Sequence, residues 1–160
     1  EQTPTPSPAP PVSPKSIPVR QPAPSQLPPE PSISEERAVQ LVQRYLEAKK
    51  VMFAPPYNRQ IASDIGTGEF YKQLIGSINS LQIESGGAYY EYGVQNIDRV
   101  ENFVVQGNTA TIKVKITEDY TLYNRNGSID RGNSGFKTLT VIYSMKLING
   151  NLKISASKIN

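Results

Sequence analysis

The sequence contains no cysteine and no histidine. Without cysteine there can be no disulfide, no thiolate zinc site and no cysteine nucleophile. The same absence fits a reducing or an oxidising compartment and places the protein in neither. Without histidine there is no Ser-His-Asp triad and no His-ligated metal centre of the common kinds. The usual general base near neutral pH is also missing. No metal site, no cofactor and no catalytic residue is therefore expected. No run of about 18 apolar residues occurs, so no helix of this sequence is expected to span a membrane. Charge of one sign is scarce as well: 17 Lys and Arg stand against 14 Asp and Glu, a formal +3. No basic cluster of roughly five to eight residues appears, and no nucleic-acid partner is expected.

Proline is abundant but confined. Twelve of the 14 prolines lie between Pro4 and Pro31, and the other two are the adjacent Pro55 and Pro56. Proline fixes φ, removes a donor and pushes the residue before it out of the helical region. Residues 1–33 also carry few apolar groups to set against the entropy of ordering. They are expected to be a disordered linker of polyproline II character, reaching roughly 3.1 Å per residue. The reading as a spacer stands beside a second one, a ligand for a PxxP-reading domain through Pro8-Ala-Pro-Pro11 or Pro28-Pro-Glu-Pro31. The chain starts at Glu1 with neither a methionine nor an apolar signal stretch, and a fragment or processed form is inferred.

Residues 34–160 are expected to form one domain. Ser32-Ile-Ser-Glu35 has capping-box spacing, with Ser34 as the alternative cap. Ala38, Leu41, Val42, Tyr45 and Leu46, with Lys49 one turn on, make an amphipathic stripe that predicts a helix over about 35–50. A short helix over 57–65 with Ile61 and Ile65 inward, a break at Gly66-Thr67-Gly68 and a helix over about 69–84 follow. Thr67 is the expected cap of that helix and Gly86-Gly87 its stop. Four strands come next. In the second, Ala110, Ile112, Val114, Ile116, Tyr120 and Leu122 alternate with polar residues, which describes a sheet with one dry face. The first strand places Tyr90, Tyr92 and Val94 on one face, then changes parity to Ile97, Phe103 and Val105. Such a switch needs a bulge, at Gly93 or Asn96. Ser128 to Ser134 read as a long loop, Asn149-Gly-Asn151 as a tight hairpin, and Leu152, Ile154 and Ala156 as one face of the last strand.

Helices that precede strands in sequence imply α+β architecture. The expected form is N-terminal helices packed on a curved four-stranded antiparallel sheet, a cone whose mouth is suited to ligands. Glu118 falls on the dry face between Ile116 and Tyr120. A buried carboxylate needs a partner or a raised pKa. Two readings follow: a bulge at Glu118-Asp119 or a structural pair with Arg59 or a tyrosine hydroxyl, against a polar contact for a ligand in the mouth. Tyr45, Tyr90, Tyr92, Tyr120 and Tyr143 lean inward, as core residues or as the large rigid faces of a binding cleft. Arg59, with Lys72 near it in sequence, is a surface charge or the holder of a carboxylate at the mouth.

The order of elements, together with Leu46-Glu-Ala-Lys-Lys-Val-Met-Phe-Ala-Pro-Pro-Tyr-Asn-Arg-Gln-Ile61, Thr67-Gly-Glu-Phe-Tyr71, Tyr89-Tyr-Glu-Tyr-Gly-Val94, the strand Ala110 to Tyr123 and Val141-Ile-Tyr143, resembles the IMS domain family of cyanobacterial and plastid proteins. The family is named for the intermembrane-space region of a chloroplast division protein. The resemblance covers about 38–157. One departure is the last strand, where Leu152-Lys-Ile154 stands in place of the tryptophan that many relatives have before the lysine. The resemblance implies an NTF2-like shape without enzymatic activity, in a longer membrane-anchored protein on the extracytoplasmic, periplasmic side. It also implies a partner protein, such as the tail of a membrane protein. The membrane would be reached only through an anchor upstream. The alternatives are a module of a Ser/Thr kinase that senses an unidentified small ligand, and an NTF2-like isomerase or dehydratase. The latter is disfavoured because such sites pair an Asp with His or with an oxyanion-holding Tyr/Asp couple. Here Asp64, Asp98, Asp119 and Asp130 fall in predicted turns or on outward faces.

Overall fold

The computed structural model describes residues 3–14, 18 and 32–160. Residues 3–14 and Pro18 are exposed and carry no helix or strand; the remainder of the expected linker up to Pro31 lies outside the described residues. Regular structure starts at Ser34. Its extended backbone and its Oγ, which accepts the Arg37 N–H at 3.1 Å, make it the N-cap of α1 (Glu35–Met52). Ile33, just before the cap, is buried, at hydrophobic-staple spacing from the buried Ala38. The predicted stripe of α1 is the buried one. The helix runs on to Met52 because that side chain is fully enclosed in the core.

α2 (Arg59–Ile65) begins later than the pattern suggested. Tyr57 sits at φ 56°, outside the helix, and Asn58 caps the turn by accepting the Ile61 N–H at 3.1 Å. Ile65 is fully buried and Ile61 half-buried. α3 (Gly68–Asn79) follows, with Thr67 at the N-cap position, but the Thr67 side chain makes no capping bond. Its backbone N–H donates instead to Ile154 O at 2.9 Å, beside a parallel bridge from Gly66 to Ile154 that joins the helices to the last strand. The expected α-helix up to residue 84 also changes character. Ser80–Glu84 is a π-helical turn, closed by the Ser85 N–H on Ser80 O at 2.9 Å. Gly86 and Gly87, at φ 67° and 107°, provide the stop.

The strands β1 (Tyr89–Gln106), β2 (Thr109–Tyr123), β3 (Ile129–Ile148) and β4 (Asn151–Ile159) form one antiparallel meander in that spatial order. The α+β architecture of helices on an open four-stranded sheet is therefore present. Its core is continuous. Leu41, Val42 and Met52 of α1, Phe70, Leu74 and Ile78 of α3, and Ile112, Val114, Met145 and Ile154 of the sheet belong to one cluster. Each such side chain contributes on the order of 1.5–3 kcal/mol by leaving water.

Irregularities in pairing decide which residues face the helices. Tyr92 pairs with Tyr120 and Gln95 with Glu118, so Gly93 and Val94 together oppose Asp119 alone. This is the expected bulge, at the Gly93 alternative. It swings Val94, predicted to face inward, out to 53% exposure. Two further slips in β1, at Ile97/Arg99 and Val100/Asn102, carry no glycine signal, and Val105 is exposed as a result of the altered parity. In β4 a slip pairs Ser144 with Ala156 but Met145 with Ile154. Ala156, expected inward, is exposed, and Ser157 faces Tyr143 instead. The segment predicted as a long loop after Gly127 is mostly strand. Ile129 already pairs with Tyr123, and the residues between Asp130 and Gly135 bulge out. Ser134 ties that bulge by accepting the Leu122 N–H and donating to Asp130 O.

Gly93 is exposed, and the Asp119 side chain lies close against it. A Cβ there would meet Asp119 Oδ2 at 2.7 Å and its Cγ at 3.3 Å. Gly93→Ala is expected to cost about 0.5–1.5 kcal/mol, because the added methyl forces the Asp119 side chain off its rotamer. The cost should shrink in an Asp119→Ala background, read as the coupling in a double-mutant denaturation cycle. Equal costs in both backgrounds would show that the contact is not what selects glycine.

Candidate functional site

The bulge brings Tyr90, Tyr92 and Gln95 of β1 to the concave side, where strict alternation would have turned Gln95 away. β2 adds Glu118 and Tyr120 to the same side by uninterrupted alternation from Ile116. α1 faces them with Tyr45 and Lys49, one helical turn apart. Between these elements lies an open cavity of about 380 Å³. Ser77, Ser80 and Leu81, from the end of α3 and the π-helical turn, close one wall, and Lys137 of β3 stands at another. A second cavity of about 220 Å³ adjoins it, with apolar walls from Ile116, Leu139, Val141 and Ile159. Tyr45, Lys49, Glu118 and Lys137 border both.

The polar centre is an ion pair. Lys49 Nζ donates to both Glu118 oxygens, at 2.7 and 3.0 Å, and the two side chains are only 14% and 12% exposed. Glu118 thus points inward, without the bulge at Glu118-Asp119 that was one expectation, and its partner is neither Arg59 nor a tyrosine hydroxyl. Gln95 Nε2 donates to Glu118 Oε2 at 3.1 Å and to Leu46 O at 2.8 Å. Gln95 Oε1 is buried with no partner among the described residues. The Lys49 cation lies 5.2 Å from the Tyr45 ring centre and 5.7 Å from that of Tyr92, within cation–π range. Burial pulls the Lys49 ammonium below its ordinary pKa, and the Glu118 carboxylate opposes that fall.

The tyrosines divide into two groups. Tyr45, Phe70 and Tyr143 meet edge to face, with ring centres 5.1–6.5 Å apart, and form the floor. Tyr90 stacks on Tyr92 at 5.9 Å and leans on Tyr120 at 6.2 Å to form the rim, where Lys137 lies 4.9 Å from the Tyr120 ring centre. Desolvation, then the nearby Glu118 charge, pushes the Tyr45 hydroxyl well above its ordinary pKa. Desolvation is also the first cause at Tyr92 and Tyr143, followed at both by Tyr45 and then Glu118. All three stay protonated near neutral pH. No hydrogen bond engages the hydroxyls of Tyr45, Tyr90, Tyr92, Tyr120 or Tyr143 among the described residues.

Six of the seven expected site residues therefore gather here. Arg59 does not. It donates to Gln82 Oε1 and Asn79 Oδ1, both at 2.7 Å, and fastens α2 to the end of α3. Lys72 pairs with Glu69 on the exposed side of α3. The sequence reading missed Lys49, Gln95 and Lys137 as site residues. Lys49 was legible as the next position on the stripe of Tyr45, and Lys137 as the partner of Glu118 once the β2–β3 register is set. Gln95 depends on the bulge. The arrangement offers a desolvated charge pair, aromatic faces and free hydroxyl donors. It holds no side chain poised as a nucleophile by an adjacent base. Among the described residues no group of three or more His, Cys, Asp or Glu is placed to hold a metal ion. No described helix is long and apolar enough to cross a membrane.

Comparison with known proteins agrees with this architecture. The intermembrane-space region of the chloroplast protein ARC6, solved by crystallography, superposes with a TM-score of 0.64 at 16% identity. The match covers 79% of this chain and 96% of that one. Two NTF2-like proteins match more distantly. One is from Salmonella enterica serovar Typhimurium (TM-score 0.49, 13% identity, 78% and 88% covered). The other is from Prochlorococcus sp. NATL2A (0.46, 14%, 80% and 93%). No curated protein sequence matches. The family described as ARC6-like, IMS domain matches residues 38–155, from the first buried alanine of α1 to the slip in β4. The chain belongs to the ARC6-like IMS domain family.

Proposed function

We propose that the domain is a non-catalytic partner-recognition module whose two adjoining cavities receive a segment of another protein. The observation that carries this reading is the Lys49–Glu118 pair, set between tyrosines whose hydroxyls have no partner among the described residues. Such a surface recognises backbone and polar groups of a peptide while the aromatic faces bury its apolar parts. The ARC6-like family and the Pro-rich residues 1–33 support placing the domain on a stalk, on the extracytoplasmic side of a membrane, as part of a longer anchored protein. Catalysis is disfavoured because the carboxylate is already engaged by Lys49 and Gln95 and burial keeps the tyrosines protonated. The test is retention of envelope proteins on the immobilised domain, compared with Tyr120→Ala and Glu118→Gln. Tyr120 is on the rim, so its loss should spare the fold. A partner retained by the native domain and lost from both variants is the expected result. Equal retention by all three would remove the cavity from partner binding.

A second reading rests on cavity size. About 380 Å³ lies within the range of small-molecule sites, which fits a ligand-sensing module. A raised melting temperature with a single small compound, lost in Glu118→Gln, would favour it.

A further inference from the structure

A separate cavity of about 400 Å³ lies where α1, α2 and the start of β4 meet, and it shares no lining residue with the tyrosine cavities. Arg37, Gln40 and Arg44 line it from one stripe of α1, Asp64 from the end of α2, and Asn151 and Lys153 from β4. No basic cluster exists in the sequence here; the fold collects cations separated by more than a hundred residues. Two of them are pinned. Arg37 Nη2 donates to Gly150 O at 2.6 Å and Lys153 Nζ to Ser63 O at 2.7 Å. A carbonyl is a neutral acceptor, so it fixes each cation without cancelling its charge. Arg44 makes no hydrogen bond or ion pair among the described residues. The Thr67 N–H on Ile154 O and the parallel bridge beside it brace the same wall. Three cations and the Asp64 carboxylate leave a net charge of +2 in a concave, preformed groove, where field lines are focused.

We propose that this groove is a phosphate-binding site, taking the phosphate of a soluble molecule or of a lipid headgroup. A single carboxylate would neutralise half the excess. A phosphomonoester carries about −1.5 to −2 at pH 7 and offers three acceptor oxygens to two guanidinium forks and one ammonium. Asp64 accepts from Gln60 Nε2 at 3.1 Å on one oxygen, which leaves the other for a hydroxyl of the molecule that bears the phosphate.

The test is an amide-shift titration of the isotope-labelled chain with inorganic phosphate at constant ionic strength, with acetate as the second probe. The expected result is saturable binding of phosphate, with shifts grouped at Arg37, Arg44, Asn151 and Lys153. Affinity should fall on the order of tenfold in Arg44→Gln, a variant that loses no hydrogen bond or ion pair among the described residues and should melt with the native chain. Shifts that never saturate, equal binding of acetate, or full affinity in Arg44→Gln would each overturn the proposal. So would binding lost in Lys137→Gln and kept in Arg44→Gln, because it would move the anion to the tyrosine cavity. Sedimentation with phosphatidic acid vesicles, against phosphatidylcholine alone, then separates the sources. Capture that requires Arg44 identifies a headgroup, and phosphate binding without capture identifies a soluble molecule.

Discussion

Lys49→Met is expected to lower the stability of the domain by about 3 kcal/mol, because it leaves the Glu118 carboxylate enclosed without its cation. The two side chains are 14% and 12% exposed, well away from the regime of surface pairs, which contribute about 0–1 kcal/mol. Residual access to the cavity keeps the expected loss at the lower end of the range for breaking a buried pair. Methionine preserves most of the lysine stem, so little of the change comes from lost packing. Gln95 still donates to Glu118, but one neutral amide does not replace an ammonium at 2.7 Å. Replacing both partners, Lys49→Met with Glu118→Leu, should recover most of the loss, since two apolar groups then share an apolar surrounding. The measurement is the urea midpoint at neutral pH with the slope unchanged. A loss under about 1 kcal/mol would mean that water screens the pair as it does at a surface. A double variant as unstable as the single one would show that the pair also holds the geometry of the cavity. That outcome would fit a recognition site better than a mere filling of the core.

Above about pH 10 the domain is expected to lose stability steeply, through Tyr45, Tyr92 and Tyr143. Burial raises all three above the ordinary value near 10. A raised acid keeps its proton in the folded chain while the unfolded chain releases it, so above pH 10 the unfolded state binds fewer protons. The stability slope is then negative, about 1.4 kcal/mol per pH unit for each group. Lys49 works in the other direction. Its folded pKa is lowered, so deprotonation relieves its desolvation as pH rises toward its ordinary value near 10.5, with the neutral amine still able to donate to Glu118 as methionine is not, and that opposing slope ends there. Once it ends, the three tyrosines act together at roughly 4 kcal/mol per pH unit. Against a typical stability of about 5–15 kcal/mol, that is enough for cooperative alkaline unfolding within a few pH units. Tyrosinate absorbance should therefore rise in two stages, exposed phenols first and the three desolvated ones together with the loss of ellipticity. One smooth titration near pH 10 with ellipticity intact would show that water fills the cavity down to its floor.

Much of the architecture was legible because local chemistry and tertiary packing agree. Ser34 before two glutamates, the stripe from Ala38 to Leu46, and the alternation from Ala110 to Ile116 each specify an element and a buried face. The Asn149-Gly150 turn, with both residues at positive φ, sets the last hairpin. Where a residue's fate depends on a distant strand, local pattern was not enough. Ala156 has the right parity for the core and is lost from it because a slip opposite Ser144 turns the strand over. Val94 goes the same way at the Gly93 bulge.

The site repeats this division. The sequence by itself put Glu118 in register with Ile116 and Tyr120 among inward tyrosines, and left open a bulge that would have turned it to solvent. It also removed imidazole and thiolate chemistry, because the chain has no histidine and no cysteine. Only the tertiary structure decided the partner. Arg59 and Lys49 are both cations of the helical layer; the stripe of α1 puts Lys49 beside Tyr45, but it does not say which of the two meets Glu118. Arg59 is held by Asn79 at the end of α3 and by Gln82 in the π-helical turn, while the sheet sets Glu118 of β2 against Lys49. Charge pairs across a fold are selected by the shape of the backbone between them. In this protein that shape includes the bulge at Gly93, which the change of parity announces, and the irregularities at Ser80–Glu84 and Ser155, which leave no comparable mark in the sequence.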